Sequence, residues 1–221
     1  MHHLLLYLEE VRFSGAPRFL GTDETDREVL SYLPGETVGE SRPWNAWVHS
    51  DAALLDIGRW LRDYHDAVRG YVPPPDAHWR EGGTWLPGMI VAHGDAAPYN
   101  AVWDKRGLVG LVDWDMAGPA LAEDDLAWIV FSWTPLHDRE LAAQEGFTAF
   151  SQRRERVERL LGAYGWTGTT DDILARVATR LVTHLETMRT VARNGDETYR
   201  AMLDRGVDRH LEAALADLDA V

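Results

Sequence analysis

The stretch His93-Gly94-Asp95-Ala96-Ala97-Pro98-Tyr99-Asn100, followed after a short hairpin by Asp113-Trp114-Asp115, decides how this chain is read. Moving a phosphoryl group needs one carboxylate beside the attacking hydroxyl. It also needs an amide oxygen and a second carboxylate to hold metal against nucleotide phosphates. Asp95, Asn100 and Asp113 are three such groups. Mg²⁺ prefers hard oxygen ligands and takes only one or two from protein when phosphates supply others, so an Asn and an Asp suffice.

The flanking residues give the spacing a mechanical basis. Met89-Ile90-Val91-Ala92 is a short apolar run that reads as a buried strand, and Gly94 and Pro98 mark a loop after it. Ala101-Val102-Trp103 and Leu108 to Val112 read as two strands joined by a turn at Asp104-Lys105-Arg106-Gly107. That hairpin returns the chain, so Asn100 and Asp113 are expected beside Asp95.

His-Gly-Asp-x-x-x-x-Asn at 93 to 100, Val112-Asp113-Trp114-Asp115, Gly118-Pro119 and Asp125-Leu126-Ala127 together resemble the aminoglycoside phosphotransferase and choline kinase-like enzymes, small-molecule relatives of the protein kinases. The resemblance implies Asp95 as the catalytic aspartate, with His93 in the catalytic loop as the residue that shapes it. It implies Asn100 and Asp113 as ligands of Mg²⁺, with Asp115 helping through a second metal or a water, and ATP or GTP as co-substrate. Asp125 would be structural, opening a helix and bonding back to the catalytic loop. Trp103, Trp114 and Met116 read as packing residues, because large apolar side chains fill cores. The chain has no Cys and no His-x-x-x-His pair, which speaks against a zinc site.

The resemblance implies an α+β, protein-kinase-like fold with a curtailed N-terminal lobe over 1–35 and a mainly helical C-terminal lobe over 36–221. A complete enzyme of this family begins with strands that carry a nucleotide-covering loop and a lysine. Here His3 to Val11 reads as an amphipathic helix resembling that lobe's single long helix, and the only lysine is Lys105, in the hairpin turn. Ala16 to Gly21 and Arg27 to Leu33 read as two strands joined by a polar turn. The second strand runs into Pro34-Gly35-Glu36, which resembles the hinge beside a nucleotide base. The backbone of Ser31, Tyr32 and Leu33 is the candidate contact to that base, and Arg18 or Arg27 the candidate replacement for the lysine. Three origins of the short lobe stay open: an internal start within a longer protein, a reduced but active lobe, and a module that binds without catalysing. An exposed two-stranded sheet has an unpaired edge. A covering helix or a second copy in a homodimer is therefore expected over it.

Composition bounds the remainder. With 221 residues and 45% hydrophobic content, the chain is long enough for one good core. Charged residues interrupt every apolar run before it reaches a membrane span, and Met1-His2-His3-Leu4 lacks the basic start of a secretory leader. A cytoplasmic protein is expected. The net charge of −14 argues against nucleic acid as a partner. It favours a cationic small-molecule substrate, since acids around a cleft concentrate amines.

The rest reads as helical. Asp51 to Arg69 places Leu54, Leu55, Leu61, His65 and Val68 at three- and four-residue steps, with His65 structural. Further helices are expected over Glu123–Trp133, over Arg139–Ala163 with a break near Gly146, over Thr170–Arg193, and as one last helix over Asp196–Leu218. The run Arg153 to Arg159 mixes signs and reads as a solvated face. In the resembling family the C-terminal helices form the acceptor pocket. Candidate lining residues here are Glu186, Arg189, Asp196, Glu197 and Asp204. The activity expected is transfer of the γ-phosphoryl group of a nucleoside triphosphate to a hydroxyl of a small, cationic, aminoglycoside-like molecule. The alternative is a non-catalytic kinase-like binding or immunity module. Metal-dependent phosphate-ester hydrolysis has no nucleophile or second histidine to recommend it.

Overall fold

Ser50 opens the helix around which the core is built, its hydroxyl accepting from the Ala53 N–H at 3.1 Å. Helix α2 (Asp51–Val68) turns Ala53, Leu54, Ile57, Trp60, Leu61, Tyr64 and Val68 inward, the three-four stripe of an amphipathic helix. The computed structural model describes residues 1–39 and 42–221. Ahead of α2 stand helix α1 (His2–Glu10) and the strands β1 (Phe19–Thr22) and β2 (Glu28–Leu30). After it come β3 (Ile90–Ala92), β4 (Ala101–Asp104), β5 (Gly107–Leu111) and β6 (Gly118–Ala120). Five helices follow from α3 (Ala122–Trp133): α4 (Arg139–Gln144), α5 (Arg153–Tyr164), α6 (Thr170–Arg193), α7 (Glu197–Asp204) and α8 (Val207–Asp217).

The strands form three antiparallel pairs, β1 with β2, β3 with β6 and β4 with β5. Strand β6, read from sequence only as a Gly-Pro signature, anchors the start of the loop at His93 by pairing Ala92 with Gly118. The N-terminal hairpin is tied to the rest through Glu36 and Trp103, whose backbones exchange hydrogen bonds of 2.9 and 2.8 Å. Helix α1 buries Leu4, Leu5 and Leu8 and lays the His2 ring on Phe19 of β1 at 4.2 Å between centroids. Val29 and Leu30 of β2 remain exposed. None of the helices among the described residues is long and apolar enough to cross a membrane.

Two readings of the helical half need correction. The expected last helix is two, because Gly206 adopts a left-handed φ of +77° that a continuous helix cannot contain. The break expected near Gly146 is present: it separates α4 from α5, with Gly146 at φ +97°. Within α5, Arg153 and Arg156 are buried rather than solvated. The Arg153 guanidinium lies 5.5 Å from the Phe150 ring and pairs with Asp217, while Arg156 lies 5.4 Å from Phe147 and donates to the His49 carbonyl at 2.8 Å. A guanidinium is weakly hydrated and stacks on aromatic faces, which lets it enter a core that would exclude an ammonium.

Gly110 in β5 fits only without a side chain. A Cβ there would stand 2.5 Å from the Gly15 carbonyl oxygen, which is itself fixed by a 3.0 Å bond from the Leu111 N–H. Gly110→Ala is expected to lower unfolding stability by about 1–3 kcal/mol, measured as a fall in the urea midpoint with unchanged slope.

Candidate active site

Strand β3 delivers the loop residues His93, Gly94 and Asp95, and a buried carboxylate receives them. Asp125, in the first turn of α3 and fully buried, accepts from the N–H groups of His93 and Gly94, each at 3.3 Å. His65 of α2 lies 3.2 Å from the same carboxylate through Nε2 and 2.9 Å from the Tyr164 hydroxyl through Nδ1. Burial pushes the Asp125 carboxyl up, but the His65 hydrogen bond together with the electrostatics of His65, His93 and Arg180 outweighs it, leaving the group below its ordinary 3.8. Gly94 sits at φ +83°, where a Cβ would meet the Met116 carbonyl at 2.2 Å. Only glycine makes this turn.

His93 is buried against Trp114, ring centroids 4.4 Å apart, and its Nδ1 accepts from the Asp95 N–H at 3.3 Å. Burial lowers its pKa to about 4, so the ring is neutral at physiological pH. It contacts the Asp95 backbone and is not among the side chains that face the cavity.

The Asp95 carboxylate is held on both oxygens. Oδ1 accepts from the Tyr99 hydroxyl at 2.7 Å and from the Trp128 indole N–H at 3.2 Å; Oδ2 accepts from the Asn100 amide at 3.1 Å. Burial pushes its pKa up to about 6. The bonds from Tyr99, Trp128 and Asn100 oppose that rise, and the nearby Asp113 charge adds to it. Asn100 also donates to the Asp95 carbonyl at 2.8 Å, which turns its NH₂ toward Asp95; the residue is buried and, unlike Asp95, Asp113 and Asp115, is not among those that line the cavity. Its own carbonyl accepts from Val112 N–H at 2.9 Å, locking the Asn100 loop to the Asp113 loop. Asp113 adopts φ +59°, a left-handed conformation rare outside glycine and tolerated best by Asp and Asn.

Asp95, Asp113 and Asp115 open on one cavity of about 340 Å³, within the size range of small-molecule pockets. Its far wall is made by Arg180, His184 and Met188 at four-residue steps along α6, with Tyr199 and Met202 of α7 and Val207 and Leu211 of α8. None of the expected lining residues Glu186, Arg189, Asp196, Glu197 and Asp204 is among them; Arg189 instead pairs with Asp208 at 2.8 Å and Glu212 at 2.7 Å. The repeat of 180, 184 and 188 was the available signal, one stripe of α6 among several. Met116, read as packing, lines the cavity, whereas Trp114 is buried. Asp115 is exposed, with Arg80 3.2 Å away.

Ser31, Tyr32 and Leu33 are not brought to this cavity. They border a separate depression beside Arg12, Phe13 and Arg18, with Ser31 and Arg18 bonded in both directions at 2.8 Å. Arg18 lies 3.6 Å from Glu9 and Arg27 2.7 Å from Asp23, so both arginines are engaged within the N-terminal segment. Among the described residues no group of three His, Cys, Asp or Glu side chains is gathered tightly enough to hold a metal alone. The carboxylates of Asp95, Asp113 and Asp115 at the cavity are hard oxygen donors, of the kind from which a divalent ion such as Mg²⁺ takes one or two while phosphates and water complete its shell.

Residues 76–161 match the family model described as the phosphotransferase enzyme family. The trifolitoxin immunity protein of Rhizobium leguminosarum bv. trifolii is 36% identical over 167 residues, 73% of this chain and 62% of that protein. The chain therefore spans less than two thirds of that curated relative's length. Amicoumacin kinase hAmiN, solved with AMP-PNP, Ca²⁺ and Ami, aligns with 99% of this chain and 76% of its own at TM-score 0.61 and 12% identity. Aminoglycoside 2'-phosphotransferase-IIIa with GDP aligns over 98% and 80% at TM-score 0.57 and 14% identity. Macrolide 2'-phosphotransferase MphH from Brachybacterium faecium aligns over 98% and 78% at TM-score 0.57 and 16% identity. At such identities these structures show the fold, and it is the α+β, kinase-like one.

The Asp125 contacts set a pH signature. A carboxylate whose folded pKa lies below its unfolded value stabilises the fold above that unfolded value, and the contribution is lost as pH falls through the folded pKa. Asp125→Asn is expected to cost about 1–3 kcal/mol at pH 7. The gap to wild type should close below about pH 4 in urea titrations across pH.

Proposed function

We propose, for a chain with the kinase-like phosphotransferase fold and the family's signature across its centre, that it transfers the γ-phosphoryl group of ATP or GTP to a hydroxyl of a small, cationic molecule. The observation that carries this is the Asp95 carboxylate, held by Tyr99, Trp128 and Asn100 at a cavity it shares with Asp113 and Asp115. Asp95 orients the acceptor hydroxyl and takes its proton as the oxygen attacks the γ-phosphorus. Asn100 Oδ1 and Asp113 would hold Mg²⁺, with Asp115 assisting. The ion would neutralise phosphate charge on the departing diphosphate. His93 keeps the loop in shape from behind. The backbone of Ser31 to Leu33 remains the candidate contact for the nucleotide base.

Charge supports a cationic acceptor. Glu81, Asp95, Asp113 and Asp115 face the cavity against Arg80 and Arg180, and the chain as a whole is strongly acidic. The acceptor class is antibiotic-like: the relative of 36% identity is named for immunity, and the fold neighbours are named as kinases and phosphotransferases of antibiotics. Such a reaction uses the nucleoside triphosphates of the cytoplasm and modifies a molecule that has entered it.

A second reading, a binding or immunity module without chemistry, is favoured by one specific observation. The chain's single lysine, Lys105, lies in the β4–β5 turn and not at the cavity, so no lysine pairs with phosphates there.

Calorimetry with ATP and GTP, with and without Mg²⁺, separates the two. Metal-dependent nucleotide binding that Asp113→Ala weakens at least tenfold is expected from phosphotransfer; absence of binding at millimolar nucleotide would favour the module. With an acceptor in hand, Asp95→Asn is expected to lower kcat by about 10²–10⁴ while leaving nucleotide affinity near wild type. An Asp95→Asn variant with wild-type kcat would remove Asp95 from the role of base.

A further inference from the structure

Tyr99 places a hydroxyl where the reading above requires the acceptor's. Its Oη lies 2.7 Å from Asp95 Oδ1, within the reach expected between a general base and the hydroxyl it activates. The other approach to that oxygen is taken by the Trp128 indole N–H at 3.2 Å, and Asn100 takes one lone pair of Oδ2. A carboxylate offers about four acceptor sites, two on each oxygen. Tyr99 and Trp128 thus fill Oδ1, and a single site on Oδ2 is left. Both residues line the cavity, but Tyr99 is 46% exposed, whereas Trp128 is braced by Arg180, whose guanidinium stands 5.2 Å over the indole and donates to the Gly94 carbonyl at 3.0 Å. Of the two donors on Oδ1, Tyr99 is the one free to swing away.

We propose that Tyr99 is a positioning residue that stands in for the acceptor: its hydroxyl occupies Asp95 Oδ1 until an acceptor hydroxyl displaces it, and so keeps water from that seat. Water is the natural competitor of any acceptor in phosphoryl transfer. A water bound to Asp95 Oδ1 would attack the γ-phosphorus, the bond from that phosphorus to the bridging oxygen would break, and the proton would pass to Asp95. The products would be inorganic phosphate and the nucleoside diphosphate. An enzyme with an open cavity must suppress this step or waste nucleotide. Tyr99 does so with a group that is already hydrogen-bonded to the base. The ring tethers that hydroxyl within the loop that carries Asp95. This inference rests on the phosphotransferase reading of the same site.

The test is release of inorganic phosphate from MgATP and from MgGTP by the full chain without acceptor, alongside calorimetric affinity for both nucleotides. Tyr99→Phe removes one oxygen from a half-exposed side chain and keeps its ring, so the fold is not at stake. Release is expected to rise about tenfold, the worth of one hydrogen bond at the barrier, with nucleotide affinity unchanged. Trp128→Phe removes the other Oδ1 donor, also at the cavity, but leaves the Tyr99 hydroxyl in its seat, and is expected not to raise release. An equal rise in both variants would mean that loosening the carboxylate, not vacating a seat, raises the rate, and would overturn the proposal. Unchanged or lower release in Tyr99→Phe would do the same, as would phosphate found on Tyr99 by mass spectrometry after incubation with nucleotide. Failure of the wild-type chain to bind either nucleotide with Mg²⁺ would instead overturn the phosphotransferase reading, and this inference with it.

Discussion

The Asp125 carboxylate, buried to full exclusion of solvent, is the interaction on which the rest depends. Taking a charge out of water is costly, and the cost is met only where several donors converge on it. Two backbone N–H groups of the loop and the imidazole of His65 do so here. The carboxylate therefore fixes the end of β3, the first turn of α3 and the last turn of α2 relative to one another. Asp95 follows in the chain from residues that Asp125 holds, so its position is inherited from a side chain outside the cavity. Nothing in the acid-lined site has to be rigid by itself.

Much of this arrangement was legible because it is local. The hairpin β4–β5, the capped helices α2 and α6 and the approach of Asp113 to Asp95 follow from short-range rules of turns, caps and alternation. The role of His65 was legible as structural because it lies on an apolar helix face, though its partner Asp125 was tied only to the loop. What escaped was non-local. Burial of Arg153 depends on Phe150 and on Asp217 from the far end of the chain. Its charged neighbours gave the whole run the look of a solvated face. The cavity wall escaped because Arg180 and His184 flank the apolar stripe of α6 and look like its other polar positions, and only packing with α7 and α8 decides which of them face Asp95. Tyr99 and Trp128 were invisible as partners of Asp95 for the same reason, since neither residue type is required by the signature.

The site divides into two parts of different origin. Residues 93 to 115 supply the acids on a frame of strands and tight turns, while the opposite wall comes from three helices at the chain's end. Under the proposed phosphotransfer the acids would meet a demand of phosphate chemistry that is the same for every acceptor. The helices meet a demand of shape, which differs with each.

The left-handed turn at Gly206 gains meaning in that light. Broken there, the terminal segment presents Met202 and Val207 from two helices that change direction within a few residues, and both reach the cavity. A straight rod of the same length would contribute one stripe only. The bend works as a thumb joint: lengthening or shortening either short helix re-angles the grip on a guest molecule while the acids opposite stay where they are. Diversification of what such a protein holds can thus proceed by edits at its tail, with the chemical end untouched.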